Sequence, residues 1–167
     1  MNEIIFHTLP PIYYQNSQIL ILGTMPSPKS REIGFYYGHP QNRFWSILSV
    51  ILNDKKPESN EERTQFLFSH HIALWDVLQS CRINGADDSS IRDPVVNPIE
   101  NLLTQTNVKK VFTTGQKAFK LYNRYCLQLT GMEAIALPSS SPANCRQYTF
   151  EKLCECYRQI LVYLDSK

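Results

Sequence analysis

No apolar run in this 167-residue chain approaches the roughly 20 residues that a membrane-crossing helix needs. The opening stretch, MNEIIFHTLPPIYY, has neither the basic start nor the small-residue cleavage site of a secretory signal, so the cytoplasm is the expected location. With no export signal, five cysteines, an odd number, do not suggest a disulfide framework, and reduced thiols are expected. The phosphate-binding pattern GxxxxGK[ST] and the dinucleotide pattern GxGxxG are both absent. Charge of either sign is scarce: the net is +2, a balance that permits nucleic-acid binding without arguing for it. Internal repeats, low-complexity tracts and linkers are also missing, so a single domain over residues 1–167 is expected, with a composition (43% hydrophobic, 19% charged) ordinary for a globular protein.

What is present is concentrated between Ile19 and Trp45. Ile19-Leu20-Ile21-Leu22 is continuous aliphatic sequence without alternation, the pattern of a strand buried on both faces of a parallel sheet. Ligands in such sheets lie beyond the carboxyl ends of the strands, which places a pocket in the Gly-Pro loop that follows. Comparable strands are expected at Ile72–Val77, Lys110–Thr114 and Glu133–Leu137. Between them, helices are expected over Asn42–Leu52, where apolar residues recur at three and four, over the polar Glu58–His70, and over Pro98–Thr106, Gln116–Leu129 and Gln147–Leu164. Ser59, with Glu62 three residues on, has capping-box spacing. Residues 81–98, CRINGADDSSIRDPVVNP, suggest a long irregular loop. The expected fold is therefore α/β, a three-layer α/β/α sandwich around a short four-stranded parallel sheet.

Two motifs in order, Gly23-Thr24-Met25-Pro26-Ser27 after the first strand and Leu137-Pro138-Ser139-Ser140-Ser141-Pro142 after the last, resemble those of the uracil-DNA glycosylase superfamily. The cassette Tyr36-Tyr37-Gly38-His39-Pro40-Gln41-Asn42-Arg43-Phe44-Trp45 resembles the mismatch-specific branch. With Ala73-Leu74-Trp75-Asp76-Val77-Leu78 it is most similar to the hypoxanthine (deoxyinosine) DNA glycosylases. The resemblance implies hydrolysis of the bond between a deaminated base and deoxyribose in double-stranded DNA, with the nucleotide flipped into a pocket; a monomer that needs no metal or cofactor is expected. The resemblance also implies that Tyr37 stacks on the flipped base and that the backbone amides of Thr24 and Met25 meet the base edge or orient water; Tyr36 is left open between the site and a place below it.

Met25 stands where the best-known uracil glycosylases carry an aspartate or asparagine, and a thioether can neither take a proton nor hold water firmly. By similarity to the hypoxanthine branch, catalysis falls to Asn42, whose place before Arg43-Phe44-Trp45 also suits a helix N-cap. An amide is no strong base, so the implied mechanism is dissociative, resting on positioning and on stabilisation of the departing base. His39 can hydrogen-bond a purine nitrogen or a phosphate, or serve the loop alone. Ser139, Ser140 and Ser141 are implied phosphate contacts. A strand wedge would fall near Ala143, too small to fill a base-sized hole, so Asn144 or Arg146 is expected on the opposite strand.

Asp76, at a strand end, is a supporting candidate, whereas Asp87-Asp88 suits a solvated turn. Arg43 is one of several scattered basic residues that could face phosphates. Cys154-Glu155-Cys156 lacks the clustered partners of an iron-sulfur site, and Cys154 fits a helix core stripe. Association with the nucleoid would follow from DNA binding. The alternatives kept open are uracil in G·U mismatches, a binding module without hydrolysis, and a hydrolase of free nucleosides.

Overall fold

The computed structural model describes residues 3–165. Four parallel strands form its centre: β2 (Ile19–Gly23), β3 (Ile72–Asp76), β6 (Lys110–Thr114) and β7 (Ala134–Leu137), ordered β3-β2-β6-β7. β2 lies between β3 and β6 and is buried along its whole length, which explains its unbroken aliphatic sequence. Successive side chains point to opposite faces, so Ile19 and Ile21 join one core while Leu20 and Leu22 join the other. The first core is closed by α2 (Phe44–Ile51), α3 (Asn60–Ser69) and α7 (Phe150–Tyr157). The second is closed by α4 (Ile99–Thr104) and α5 (Gln116–Tyr125). Helices thus cover both faces of the sheet, the three-layer arrangement expected from the sequence.

Helix limits follow their caps. Ser59 accepts the Glu62 N–H at 3.1 Å, while Glu62 turns back to the amide of Glu58 rather than to that of Ser59. α2 starts two residues later than its apolar spacing suggests, because the Asn42 side chain accepts the Phe44 N–H. Gln116–Leu129, expected as one helix, breaks at Cys126 into α5 and a single turn, α6 (Leu127–Thr130). The closing helix starts at its Thr149 cap and tightens into a 3-10 segment over Arg158–Tyr163. No helix among the described residues is long and apolar enough to cross a membrane.

Residues 81–98 correct the sequence reading. In place of an irregular loop, β4 (Leu78–Asn84) and β5 (Asp87–Val96) form an antiparallel hairpin turning at Gly85-Ala86, and β1 (Glu3–Phe6) pairs with β4 to complete a second sheet, β1-β4-β5. The inward positions hold too few apolar groups to show an alternation, since Ser80 shares them with Cys81, Ile83 and Ile91. Pro94 is accommodated because β5 is an edge strand, and the pairing carries register shifts. This hairpin carries its tip to the carboxyl edge of the parallel sheet, where Ile83 and Ala86 wall a cavity.

Replacing Ile21, fully buried at the centre of β2, with alanine removes packing from the first core. We expect a loss of about 2–5 kcal/mol in urea denaturation with an unchanged m-value.

Candidate active site

The cavity has a volume of about 310 Å³ and opens at the carboxyl ends of β2, β3, β6 and β7. That edge offers backbone groups without sheet partners, and the chain places its polar residues there. Tyr37, Thr24, Met25, His39, Asn42, Ser139, Ser140 and Ser141, singled out from the sequence, all line the cavity. Asn144 and Arg146 lie farther along the last loop, outside the lining.

Tyr37 is fixed from several sides. Its ring stacks on Phe44 with centroids 3.8 Å apart and planes 15° from parallel, and its hydroxyl lies 3.1 Å from Thr114 Oγ1. Its φ of +54° lies in the left-handed region, which costs a tyrosine on the order of 1–3 kcal/mol unless neighbours enforce it. They do so here. The preceding carbonyl, of Tyr36, accepts the Trp45 indole N–H at 3.1 Å, and the following amide, of Gly38, donates to Ser30 Oγ at 3.1 Å. Tyr36 itself is 2% exposed and donates its hydroxyl to the Pro10 carbonyl at 2.7 Å, so it packs beneath the site. Burial, reinforced by the Asp76 carboxylate, pushes both phenols well above their ordinary range.

Asn42 has its amide orientation settled by its partners. Oδ1 accepts the Phe44 backbone N–H at 2.9 Å and the Ser140 hydroxyl at 2.7 Å, which uses both lone pairs. No described residue accepts from Nδ2, so at the cavity this amide offers hydrogen and no free acceptor. The cap and the functional orientation are one arrangement. His39 is similar: Nδ1 accepts the Gln41 N–H at 3.1 Å, so in the neutral ring the hydrogen sits on Nε2, available to an acceptor.

The serine loop is braced internally. Ser140, 1% exposed, is committed to Asn42, Ser139 Oγ accepts the Ser141 N–H, and Ser141 Oγ accepts that of Ala143. Asn144 folds back, donating Nδ2 to the Ser139 carbonyl, and Arg146 remains exposed. Arg43 is half-buried and turned inward: it donates to the carbonyls of Tyr148 at 2.7 Å and Ser141 at 3.3 Å, strapping this loop to the start of α2. Tyr157 supports the loop from below through the Pro138 carbonyl.

Three further residues contribute, of which only Asp76 was expected, in a supporting place. Thr114 and Asp76 come from the ends of β6 and β3, as neighbours of β2 must, and the Asp76 carboxylate pairs with His7. The third is Asp88. Adjacent residues of a strand face opposite ways, so Asp87 binds Ser89 at the surface while the Asp88 carboxyl turns into the cavity against the Thr24 hydroxyl. Crowding by protein raises the Asp88 carboxyl above the ordinary carboxylate range, with Lys117 pulling the other way. Treating residues 87–96 as a strand would have separated the two aspartates.

The chain's residues 10–165 match the family model described as the Uracil DNA glycosylase superfamily. A hypoxanthine DNA glycosylase of Methanosarcina barkeri is 35% identical over 145 residues, covering 86% of this chain and 90% of its own. One from Methanosarcina acetivorans is 32% identical, covering 82% and 87%. Among solved structures, the solution NMR structure of a candidate uracil DNA glycosylase from Methanosarcina acetivorans superposes with a TM-score of 0.79 at 29% identity, covering 95% of this chain and 99% of its own.

The buried phenols give the site an alkaline signature. Tyr36, Tyr37 and Tyr157 all have raised pKa values when folded, whereas unfolded they ionise near 10. Their contribution to stability is complete below pH 10 and declines as pH rises beyond it. In a spectrophotometric titration, phenolate absorbance from these three should appear only as the fold is lost.

Proposed function

We propose that this chain, which belongs to the uracil DNA glycosylase superfamily, hydrolyses the N-glycosidic bond of a deaminated nucleotide in double-stranded DNA, with hypoxanthine as the base released. The observation that carries the reading is the locked Asn42 amide, a donor with no acceptor among the described residues, lining the same cavity as an anchored aromatic ring. The relatives named hypoxanthine DNA glycosylase, similar over most of the chain, support the choice of base.

In this reading the nucleotide leaves the stack and its base lies against Tyr37, whose other face is held by Phe44. Asn42 Nδ2 donates to the departing base or to the attacking water. Because its oxygen is already occupied, Asn42 does not take the water's proton, and the bond to the base breaks ahead of water capture. The base departs as an anion, water then adds to the cationic sugar carbon, and the proton that the added water loses passes to the departed base. Rate comes from orientation and from hydrogen bonds to developing negative charge on the base. The backbone amides of Thr24 and Met25 and the His39 Nε2–H are further donors to the base edge. The stiffened Ser139–Ser141 turn meets phosphates, with Asn144 and Arg146 beside it toward the opposite strand. The enzyme acts as a monomer.

The test is incubation of the full chain with labelled duplexes carrying one deoxyinosine or deoxyuridine, followed by alkali and measurement of strand scission. Scission at deoxyinosine is expected, with Asn42→Ala slowing the single-turnover rate by about 10²–10³-fold. Ser140→Ala frees one of the two bonds that hold the amide and should produce a smaller loss. Preference for deoxyuridine opposite guanine would replace hypoxanthine by uracil. Binding without scission, by protein shown to be folded, would make it a damaged-DNA-binding module, and cleavage of free nucleosides alone would make it a nucleoside hydrolase.

A further inference from the structure

Deamination of a base leaves two chemical marks common to purines and pyrimidines: the exocyclic amine becomes a carbonyl, and the ring nitrogen beside it changes its hydrogen bonding. A ring nitrogen that was a bare acceptor, N1 of adenine or N3 of cytosine, becomes an N–H donor in hypoxanthine or uracil. A donor can read the new carbonyl, but reading the ring N–H takes a fixed acceptor, which the donors described above do not supply. Asn42 has no free acceptor, and Nε2 of neutral His39 offers a hydrogen.

Asp76 supplies the acceptor. It ends β3 beside Gly23, its side chain is 6% exposed, and it lines the cavity. Oδ2 is held at 2.8 Å by Nε2 of His7, whose own side chain is 3% exposed. Oδ1 takes no hydrogen bond from any described residue. It lies where any side chain on Gly23 would meet it: a Cβ there would be 2.5 Å from Asp76 Oδ1 and 3.2 Å from the Tyr37 hydroxyl. The hydroxyl end of the stacking ring and the free carboxylate oxygen therefore share the cavity floor. A purine stacked on Tyr37 with its glycosidic nitrogen toward Asn42 sends its far edge, which carries N1, toward that floor.

We propose that His7 and Asp76 act as a unit that recognises the ring N–H created by deamination: Asp76 Oδ1 accepts it, and His7 is the positioning residue that holds the carboxylate in place. Adenine would set its N1 lone pair against a carboxylate oxygen, leaving both unpaired. A buried polar group left in that state is the most effective basis for rejecting a close analogue. The inference rests on the glycosylase reading for its substrate class and extends it to the source of selectivity. It also assigns a role to the N-terminal strand, whose pairing with β4 brings His7 to Asp76.

The test uses binding, so it stands apart from whether hydrolysis occurs. Affinities of the full chain are measured for duplexes carrying 2′-fluoroarabino-inosine or 2′-fluoroarabino-adenosine, which resist cleavage, at one position. Wild type should prefer the inosine duplex. Asp76→Asn presents an amide that can turn its NH₂ toward a bare nitrogen, so the inosine-to-adenosine preference should fall by about tenfold or more, with adenosine binding improving as inosine binding weakens. His7→Phe should lower the preference too, and His7→Gln, which retains an N–H donor, should restore much of it. An unchanged preference in folded Asp76→Asn, equal weakening for both duplexes, or no preference in wild type would overturn the proposal. Absence of base release from cleavable DNA would instead count against the glycosylase reading alone.

Discussion

The close approach of side-chain oxygens around the Cα of Gly23 governs the arrangement of this site. β2 is the central strand, flanked by β3 and β6 and buried throughout, so its last residue lies where the neighbouring strand ends converge. From one side comes the Asp76 carboxylate, from the other Thr114, and between them the Tyr37 hydroxyl reaches down. Only a residue without a side chain leaves room for all three. The ring of Tyr37 takes its tilt from this contact and from Phe44, and its unfavourable backbone angle is sustained by the same neighbours.

A second constraint is the exhaustion of acceptors at Asn42. Amide side chains are ambiguous because they can donate or accept after a half-turn. Here a backbone N–H and a serine hydroxyl remove that freedom, leaving one chemical face toward the cavity. A carboxylate oxygen that no described residue uses lies beside Gly23, on Asp76. The cavity thus separates donation at one residue from acceptance at another, a division suited to a heterocycle whose edge carries both kinds of group.

The central sheet was legible because strands buried on both faces need continuous aliphatic sequence, and Ile19–Leu22 could serve as little else. The loop residues Thr24, Met25, Tyr37, His39 and Asn42 were legible through their place after that strand and through the resemblance their motifs carry. The β4-β5 hairpin was not, since its core-facing side is interrupted by Ser80 and its turn is Gly85-Ala86, without the Asn-Gly or Asp-Gly that marks many tight hairpins. Missing the hairpin concealed the orientation of Asp88. Partners separated by dozens of residues, such as His7 with Asp76 and Ser140 with Asn42, leave no local periodicity to detect. Arg43 was misplaced for a related reason: a cation in a polar stretch looks solvated until the carbonyls of Ser141 and Tyr148 are seen to surround it.

That strap joins two segments 98 residues apart, since Ser140 grips Asn42 while Arg43 holds Ser141 and Tyr148. The start of α2 and the final loop therefore form one mechanical piece, even though the chain makes them separately. Neither can be transplanted, lengthened or diversified alone without releasing the other. In the divergence of such enzymes, and in any attempt to redesign one, the two segments form a single unit of inheritance.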